Sequence, residues 1–145
     1  MLWNWLRKTK PTFAICEATV PKVTIHVGRC FGVARLLMGT LRMGIDMAYA
    51  WPSAQVSRMD PREAVEMIYE DEIAISEDPE KVRRDRLNDL LTNYVNHPYH
   101  ALEQAMVNEI IDPRDTRPVL IDTLRDLVKK QPTPRPWRKH SLIPQ

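Results

Sequence analysis

The sequence contains little glycine and cysteine and no long uncharged apolar run. Its 145 residues include four glycines, whereas an average usage near 7% gives about ten. No stretch of about 18 uncharged apolar residues occurs, which excludes a transmembrane helix. The basic residues 1–10 lead into no apolar stretch long enough for a secretory signal. We therefore expect a cytoplasmic protein with a single domain.

The scarcity of glycine and cysteine excludes several common kinds of site. Gly28 and Gly32 flank a short segment, and neither belongs to a G-x-G-x-x-G or P-loop pattern, so these routes to nucleotide binding have no support. Cys16 and Cys30 lack the close Cys-x-x-Cys spacing of zinc and redox sites. We expect both to be small buried thiols and predict no metal site.

Charge is distributed unevenly along the chain, although the net charge is only +2. Residues 1–59 carry eight basic and two acidic residues, residues 60–80 nine acidic and one basic, and residues 128–145 five basic and none acidic. No helix-turn-helix, aromatic RNA-binding motif or zinc finger accompanies the basic ends, so no nucleic-acid partner is predicted. The acidic segment is predicted to be the solvated start of a helix, where carboxylates interact favourably with the helix dipole.

The N-terminal half has the pattern of an α/β fold. Residues 12–18 indicate the end of a helix or a buried turn. Alternating apolar and polar residues predict a strand over 22–27, and further strands are predicted over 45–51 and 54–59. Residues 31–41 predict a turn that enters a helix.

The C-terminal half is predicted to be mainly helical. An Asp-Pro-x-Glu sequence at residues 60–63 is typical of a helix start. The further predicted elements are a helix from residues 76–79 to the break at His97-Pro98, a short helix over 98–106, an extended segment over 107–111 and a helix capped by Asp115 or Thr116. The proline-rich residues 131–145 are incompatible with a helix and are predicted to be extended.

No side chain forms a convincing catalytic pattern. His97 and His100 are three residues apart around Pro98, which is too irregular for a helical metal pair, and His26 lies in the middle of a predicted strand. For these histidines and for His140, a structural or surface role is favoured. No serine or cysteine lies in a known nucleophile motif.

One local pattern indicates a site built from backbone groups. Residues 30–34, Cys-Phe-Gly-Val-Ala, are predicted to turn from a strand into a helix. Consecutive backbone N–H groups at such a turn can stabilise a developing oxyanion. Many α/β proteins contain such a turn without activity, so the pattern alone does not identify a function.

Six separated motifs, taken together and in order, resemble one enzyme family. They are Glu17–Lys22, Ala50–Gln55, Ala64–Tyr69, Asn96–Tyr99, Val107–Arg117 and Arg138–Pro144. In these motifs the sequence resembles the carboxyltransferase (β) subunit of biotin-dependent acyl-CoA carboxylases of the propionyl-, methylmalonyl- and acetyl-CoA class, and the related decarboxylase α subunits. The resemblance begins near residue 13 and covers roughly the last quarter of such a subunit.

The resemblance implies a partial crotonase-like α/β fold, built from ββα units in a superhelix, with a helical C-terminal part. We expect a divergent extension over 1–12, part of the carboxyltransferase C-terminal domain over 13–130 and an extended basic tail over 131–145. Because the rest of such a fold would cover sheet edges and apolar faces, we expect an oligomer or a complex.

The resemblance also implies which residues form the site. In that family, carboxybiotin releases CO₂, the enolate of an acyl-CoA captures it, and pairs of backbone N–H groups stabilise the oxyanions. The biotin-side turn of the family reads Gly-Gly-Ala-Tyr, and the matching residues here are Gly32 to Arg35. Val33 and Ala34 are thus the implied catalytic donors, and Gly32, Arg35 and Leu36 the implied substrate pocket.

This turn departs from the pattern of the family in ways that predict reduced or absent activity. A valine in place of glycine loses access to positive φ, and its branched side chain lies where a ligand should approach. Arg35 and Leu36 replace a tyrosine and a small or acidic residue.

Three interpretations remain open. In the first, the chain is the biotin-side half of a split carboxyltransferase site, inactive alone, with its basic start and acidic middle as docking surfaces. Biotin would be carried by a separate protein, and the partners would be a carboxyltransferase chain that supplies the acyl-CoA half and a biotin carboxylase or carrier subunit. In the second, the chain is a non-catalytic assembly or regulatory subunit that retains the oligomer contacts of the family. In the third, it is a truncated remnant.

Overall fold

The fold was analysed in a computed structural model of the chain, which describes residues 2–130. The side chains of residues 2–9 and of Arg42 are not described. The predicted extended tail over 131–145 and His140 therefore lie outside the described residues.

Helices and short strands alternate along the chain. In order they are α1 (Leu2–Glu17), β1 (Val23–His26), β2 (Arg29–Phe31), α2 (Gly32–Leu37), β3 (Met47–Ala50), β4 (Gln55–Ser57), α3 (Pro61–Ile68), α4 (Glu70–Ile75), α5 (Pro79–Leu90), α6 (Pro98–Glu103), β5 (Glu109–Ile110) and α7 (Thr116–Leu127). A π-helical turn at Leu91–Val95 follows α5, and single 3-10 turns lie at Leu41–Met43 and Pro113–Asp115.

The strands form two parallel sheets from a repeated unit. The first sheet has the order β1-β3-β5 and the second the order β2-β4. Val23 lies opposite Met47 in the first sheet, and Arg29 lies opposite Gln55 in the second. Each unit therefore gives one strand to each sheet and continues into a helix, first as β1-β2-α2 and then as β3-β4-α3. This arrangement confirms the predicted α/β fold of ββα units.

The core lies between the second sheet and the segment around α6. Its buried residues are Cys30, Ala50, Ala54, Val56, Ala101, Met106 and Val107. Small residues predominate on the strands, so α6 and the loop after it can pack closely against the sheet.

Helix α7 is attached to the first sheet by side-chain hydrogen bonds. The hydroxyl groups of Tyr49 on β3 and Thr123 on α7 are 2.7 Å apart, and both residues are buried. Just after β3, the Trp51 indole N–H donates to the Thr116 hydroxyl at 2.9 Å. At the other end of α7, Lys130 forms an ion pair with Asp46.

The predicted helix start at residue 60 is confirmed. The Asp60 carboxylate accepts a hydrogen bond from the Arg62 backbone N–H at 2.9 Å, and Pro61 is the first helical residue. The acidic segment contains a break at Tyr69, whose φ of −112° and ψ of 22° separate α3 from α4. The carboxylates are only partly solvated, because Glu66 and Glu72 pair with Arg83 and Arg86 of α5.

The expectation that both cysteines are buried is wrong for Cys16. Cys30 is buried on β2, whereas Cys16 is exposed, because it lies on the outer side of α1 one residue before the helix ends. Helix α1 also joins the predicted extension over 1–12 to the predicted domain without a break. None of the helices within residues 2–130 has the length and apolar character needed to cross a membrane.

Candidate functional site

The turn between β2 and α2 places the two implied donors at a helix start. Phe31, the last residue of β2, is extended, with a φ of −118° and a ψ of 150°. Gly32 then takes a φ of +50°, and Val33 and Ala34 follow in the first turn of α2. Backbone N–H groups in a first helical turn have no acceptor within the helix itself, so they suit an anionic acceptor.

The left-handed backbone conformation falls on Gly32 and not on Val33. Among the described residues, Ala105 is the one non-glycine residue with a positive φ, so Val33 needs no glycine-like backbone. Val33 therefore has an ordinary backbone conformation in this turn, and the effect of the valine on activity stays a prediction. A Cβ at Gly32 would approach only the Arg58 carbonyl oxygen, at 4.0 Å, so conformation and not crowding requires glycine there.

Arg35 and Leu36 have different surroundings. Leu36 is 43% exposed on α2. Arg35 is half-buried and lines a cavity of about 40 Å³, which holds about one water molecule, together with Thr40, Arg58 and the loop after α6. Only Arg35 of these two residues therefore faces the interior.

The charge of Arg35 acts on two buried groups of the sheets. Burial lowers the pKa of the His26 imidazole, and the positive charge of Arg35 lowers it further. Burial raises the pKa of the Cys30 thiol, and Arg35 opposes part of that rise. Both groups are therefore neutral at pH 7, which favours a structural role over nucleophilic or acid chemistry.

A cleft of about 520 Å³ opens beside the strand that leads into the turn. Arg29 and Phe31 of β2 line one side, and Arg62 of α3 with Leu87 and Leu91 lines the other. Its volume lies within the range of small-molecule sites. Asp60 and Gln55 also line the cleft, so it combines two arginines with an acidic, an amide and several apolar side chains.

Sequence reasoning did not identify these cleft residues. The alternation around the buried Cys30 already places Arg29 and Phe31 on one face of β2. The side formed by Leu87 and Leu91 has no local signal, because α5 reaches β2 only through the fold.

Several residues of the recognised motifs hold elements together. Gln55 donates from its side-chain amide to Asn96 at 2.6 Å, which joins β4 to the segment before α6. The Asn108 side chain accepts a hydrogen bond from the Ala48 backbone N–H at 2.8 Å. The Lys22 ammonium group donates to the Ile15 carbonyl at 2.7 Å. These motifs therefore stabilise the arrangement of the sheets and helices around the turn.

Of the remaining histidines, the two that the structure describes have the predicted surface or structural positions. His97 is exposed, and the His100 ring lies 2.7 Å from the Gln104 side-chain amide and edge-on to Tyr94. Within residues 10–130, no cluster of three or more His, Cys, Asp or Glu side chains is arranged to bind a metal ion.

Comparison with known proteins identifies the family. A family model for the carboxyl transferase domain matches residues 10–143. The chain belongs to the carboxyl transferase family. This carboxyl transferase chain is 38% identical over 135 residues to the propionyl-CoA carboxylase carboxyltransferase subunit of Haloferax mediterranei. The aligned region covers 93% of this chain and 26% of the relative. It is 34% identical over 142 residues to a biotin-dependent acetyl-/propionyl-CoA carboxylase β5 subunit of Mycobacterium tuberculosis. That alignment covers 95% of this chain and 26% of the relative.

A solved structure of transcarboxylase 12S has the same fold. It superposes on the carboxyl transferase chain with a TM-score of 0.85 at 33% identity, over 97% of this chain and 27% of that one. That protein was described as a hexamer, with methylmalonyl-CoA and methylmalonic acid bound. The similarity confirms the predicted partial crotonase-like fold. The carboxyl transferase chain spans about a quarter of the length of the relatives that it matches.

Proposed function

We propose that this chain forms the biotin-side half of a site that moves a carboxyl group between carboxybiotin and an acyl-CoA, and that it is inactive alone. The observation that carries the proposal is the turn at Gly32. The left-handed conformation of this glycine places Val33 and Ala34, with their N–H groups, in the first turn of α2. Phe31, the residue directly before this turn, also lines the 520 Å³ cleft.

The residues of the turn have the donor chemistry that such a site needs. Biotin, carried by a separate protein, would supply the carboxyl group. Val33 and Ala34 would donate hydrogen bonds to an oxygen that gains negative charge as the carboxyl group leaves or arrives. Arg29 and Arg62 would attract an anionic substrate group, and Phe31 would help to exclude water.

The acyl-CoA half of the site would come from another carboxyltransferase chain, and a biotin carboxylase or carrier subunit would complete the assembly. The names of the relatives include a biotin-dependent carboxylase subunit and a hexameric transcarboxylase, which supports an assembly of this kind. The cytoplasmic location and the identity of each partner remain predictions.

Activity of the purified complex tests the proposal. We expect no carboxyl transfer from the chain alone and transfer when its partner chains are present. Gly32→Ala should lower turnover, because alanine disfavours the left-handed conformation that positions the Val33 and Ala34 N–H groups; complete loss of one such donor, about 10²–10³ in rate, is the upper limit of the effect. Val33→Gly should raise turnover, because it removes a branched side chain beside the donors. Gly28→Ala is the matched control, since Gly28 has no positive φ and open space around its Cα.

Catalysis by the chain alone would refute the proposal that it forms only half of the site and is inactive alone. A complex that keeps full activity with Gly32→Ala would show that this turn does not stabilise the oxyanion.

The alternative function is a non-catalytic assembly subunit, and the outer face of α7 favours it. Ile121, Leu124 and Val128 are 42%, 43% and 76% exposed, and their spacing places them on one side of the helix. An exposed apolar stripe of this kind is typical of an interface. If assembly is the function, Leu124→Glu should separate the complex into smaller species, and Gly32→Ala should leave its mass unchanged in light scattering.

A further inference from the structure

A small pocket lies between the end of β4, the π-helical turn and α6. Its volume is about 180 Å³. It shares no lining residue with the cleft beside β2, and the proposed carboxyl transfer uses none of its side chains. The chemical character of its lining decides which class of ligand fits it.

The inner part of the pocket is an apolar floor, formed by Val56, Val95 and Met106. These three residues are only 5%, 5% and 8% exposed, so the floor belongs to the packed interior of the protein. Aliphatic side chains offer water no hydrogen-bond partners, and a ligand that covers them gains the free energy of apolar burial. The apolar floor therefore fits a short hydrocarbon group.

The outer part of the pocket is polar. Arg58, which follows β4, is exposed there. The His100 ring lies edge-on to Tyr94, with 5.3 Å between the ring centres, and 2.7 Å from the side-chain amide of Gln104. This contact fixes the Gln104 amide, and because an amide nitrogen carries two N–H groups, one of them can donate to a ligand.

The charge at this outer part is positive. Arg58 and Gln104 also line the neighbouring 40 Å³ cavity, which contains Arg35. Among the described residues, no aspartate or glutamate lines either cavity. The Glu103 carboxylate lies 3.6 Å from His100, but its side chain is 76% exposed and is not part of the lining. The pocket therefore fits an anionic group, and a guanidinium group binds a carboxylate through two parallel hydrogen bonds.

The end of α6 brings polar and apolar lining residues together. The Met106 N–H donates to the Ala101 carbonyl at 2.8 Å, and the Ala105 N–H donates to the Leu102 carbonyl at 2.9 Å. This pair of bonds is a helix end at which glycine is usual, and here Ala105 takes a φ of +52°. Because the chain reverses at Ala105, Gln104 lies at the outer part of the pocket and Met106 lies in the apolar floor.

The volume of the pocket limits the length of the ligand. At about 30 Å³ for each water molecule in the liquid, 180 Å³ holds about six non-hydrogen atoms. A carboxylate group accounts for three of these atoms, so about three further carbon atoms fit. Inorganic phosphate would fill the polar part and leave the apolar floor uncovered.

We propose that this pocket binds a free aliphatic carboxylate of about three or four carbon atoms. Its carboxylate group bonds to Arg58 and Gln104, and its hydrocarbon chain lies on the apolar floor. The positive charge of Arg35 in the neighbouring cavity adds to the attraction. This site is distinct from the cleft and the turn of the proposed carboxyl-transfer site, and it needs neither biotin nor a partner chain.

Titration calorimetry of the full chain tests the proposal with formate, acetate, propionate, butyrate, hexanoate and inorganic phosphate. We expect butyrate to bind with a Kd of about 1 mM. Each added CH₂ from acetate to butyrate should tighten binding about fourfold, because it is buried on the apolar floor. Hexanoate should bind more weakly than butyrate, because its chain is longer than the pocket. This series needs no variant.

Substitutions of exposed arginines locate the site. Arg58→Gln should weaken butyrate binding about tenfold or more, because it removes charged hydrogen bonds, and Arg58→Lys should have an intermediate effect. Arg114→Gln is the matched control: it removes the same charge from a side chain that is 92% exposed and lines none of the cavities described above. Arg62→Gln, in the cleft beside β2, should also leave butyrate binding unchanged.

Three results of the ligand series would each overturn the proposal: no saturable binding of butyrate, equal affinity for formate and butyrate, or tighter binding of phosphate than of butyrate. Equal losses in Arg58→Gln and Arg114→Gln would reduce the effect to net charge and overturn it too. A loss confined to Arg62→Gln would place the carboxylate in the cleft beside β2 instead. The proposed function is judged separately, since it requires the assembled complex and butyrate binding does not.

Discussion

Replacement of three glycines by alanine separates the effect of backbone conformation from that of crowding. Gly28 has no positive φ and open space around its Cα, Gly32 has a φ of +50° with its nearest neighbour 4.0 Å from an added Cβ, and Gly39 has a φ of +85°. At Gly39 an added Cβ would also lie 2.6 Å from Cδ1 of the buried Ile45. An alanine therefore has neither cost at Gly28, the cost of the left-handed backbone at Gly32, and both that cost and crowding at Gly39.

The magnitudes follow from these surroundings. Alanine lowers the entropy of the unfolded chain by a similar amount at each site, so Gly28→Ala should stabilise the protein by about 0.4–1 kcal/mol. The left-handed conformation costs alanine roughly 1–2 kcal/mol, so Gly32→Ala should be less stable than Gly28→Ala by about that difference. Gly39→Ala should lose roughly 1–3 kcal/mol more, because Ile45 must move.

Urea unfolding followed by circular dichroism measures this series, provided that the m-value stays constant. Gly32→Asn provides a further check, since asparagine tolerates the left-handed region better than alanine and should recover part of the loss. Equal stabilities of Gly28→Ala and Gly32→Ala would refute the assignment of the strained position to Gly32. A Gly32→Asn variant no more stable than Gly32→Ala would count against conformation as the cause.

Two further predictions concern the buried polar groups. Thr123 donates its hydroxyl proton to the Val119 carbonyl at 2.7 Å, so Tyr49 is the donor in the bond between the two hydroxyl groups. Tyr49→Phe should lower the free energy of unfolding in urea by about 0.5–1.5 kcal/mol. Thr123→Val should lower it more, because this substitution leaves the buried Tyr49 hydroxyl without a partner. Equal costs would contradict the expectation that the unpaired tyrosine hydroxyl carries the larger penalty. Folding lowers the pKa of His26, so near and below pH 6.5, its ordinary value, the unfolded state binds more protons than the folded state. The free energy of unfolding should therefore fall as pH decreases through and below 6.5. His26→Gln should flatten that slope, and an unchanged slope would rule out His26 as its source.

Local patterns predicted the fold where one short segment decides the outcome. The Asp60-Pro61 start of α3 needs only the residues of one helical turn, and the alternation over residues 22–27 that predicted β1 needs only the pleat of one strand. The resemblance supplied the ββα units, whereas the order of the strands in each sheet comes from the structure, because no local signal shows that β1 pairs with β3.

The site was predicted less completely, for reasons that depend on the path of the chain. Within the turn, Gly32 takes the positive φ and Val33 does not, which the match of four residues to the pattern of the family did not show. The cleft beside β2 depends on how α5 packs across the sheet, which no spacing within α5 reveals. Exposure of Cys16 depends on which side of α1 faces the rest of the protein.

The parallel pairing of β1 with β3 also affects how the protein is made. Val23 pairs with Met47, about two dozen residues later in the chain, and Tyr49 pairs with Glu109 much later still. At about 5–20 residues per second, the ribosome needs on the order of 1–5 s after it makes β1 before β3 is complete. During that time β1 lacks the pairing with β3, and β3 waits longer for β5. The newly made chain is thus most prone to aggregation before its second unit is finished, and a partner or chaperone bound to β1 at that stage would protect it.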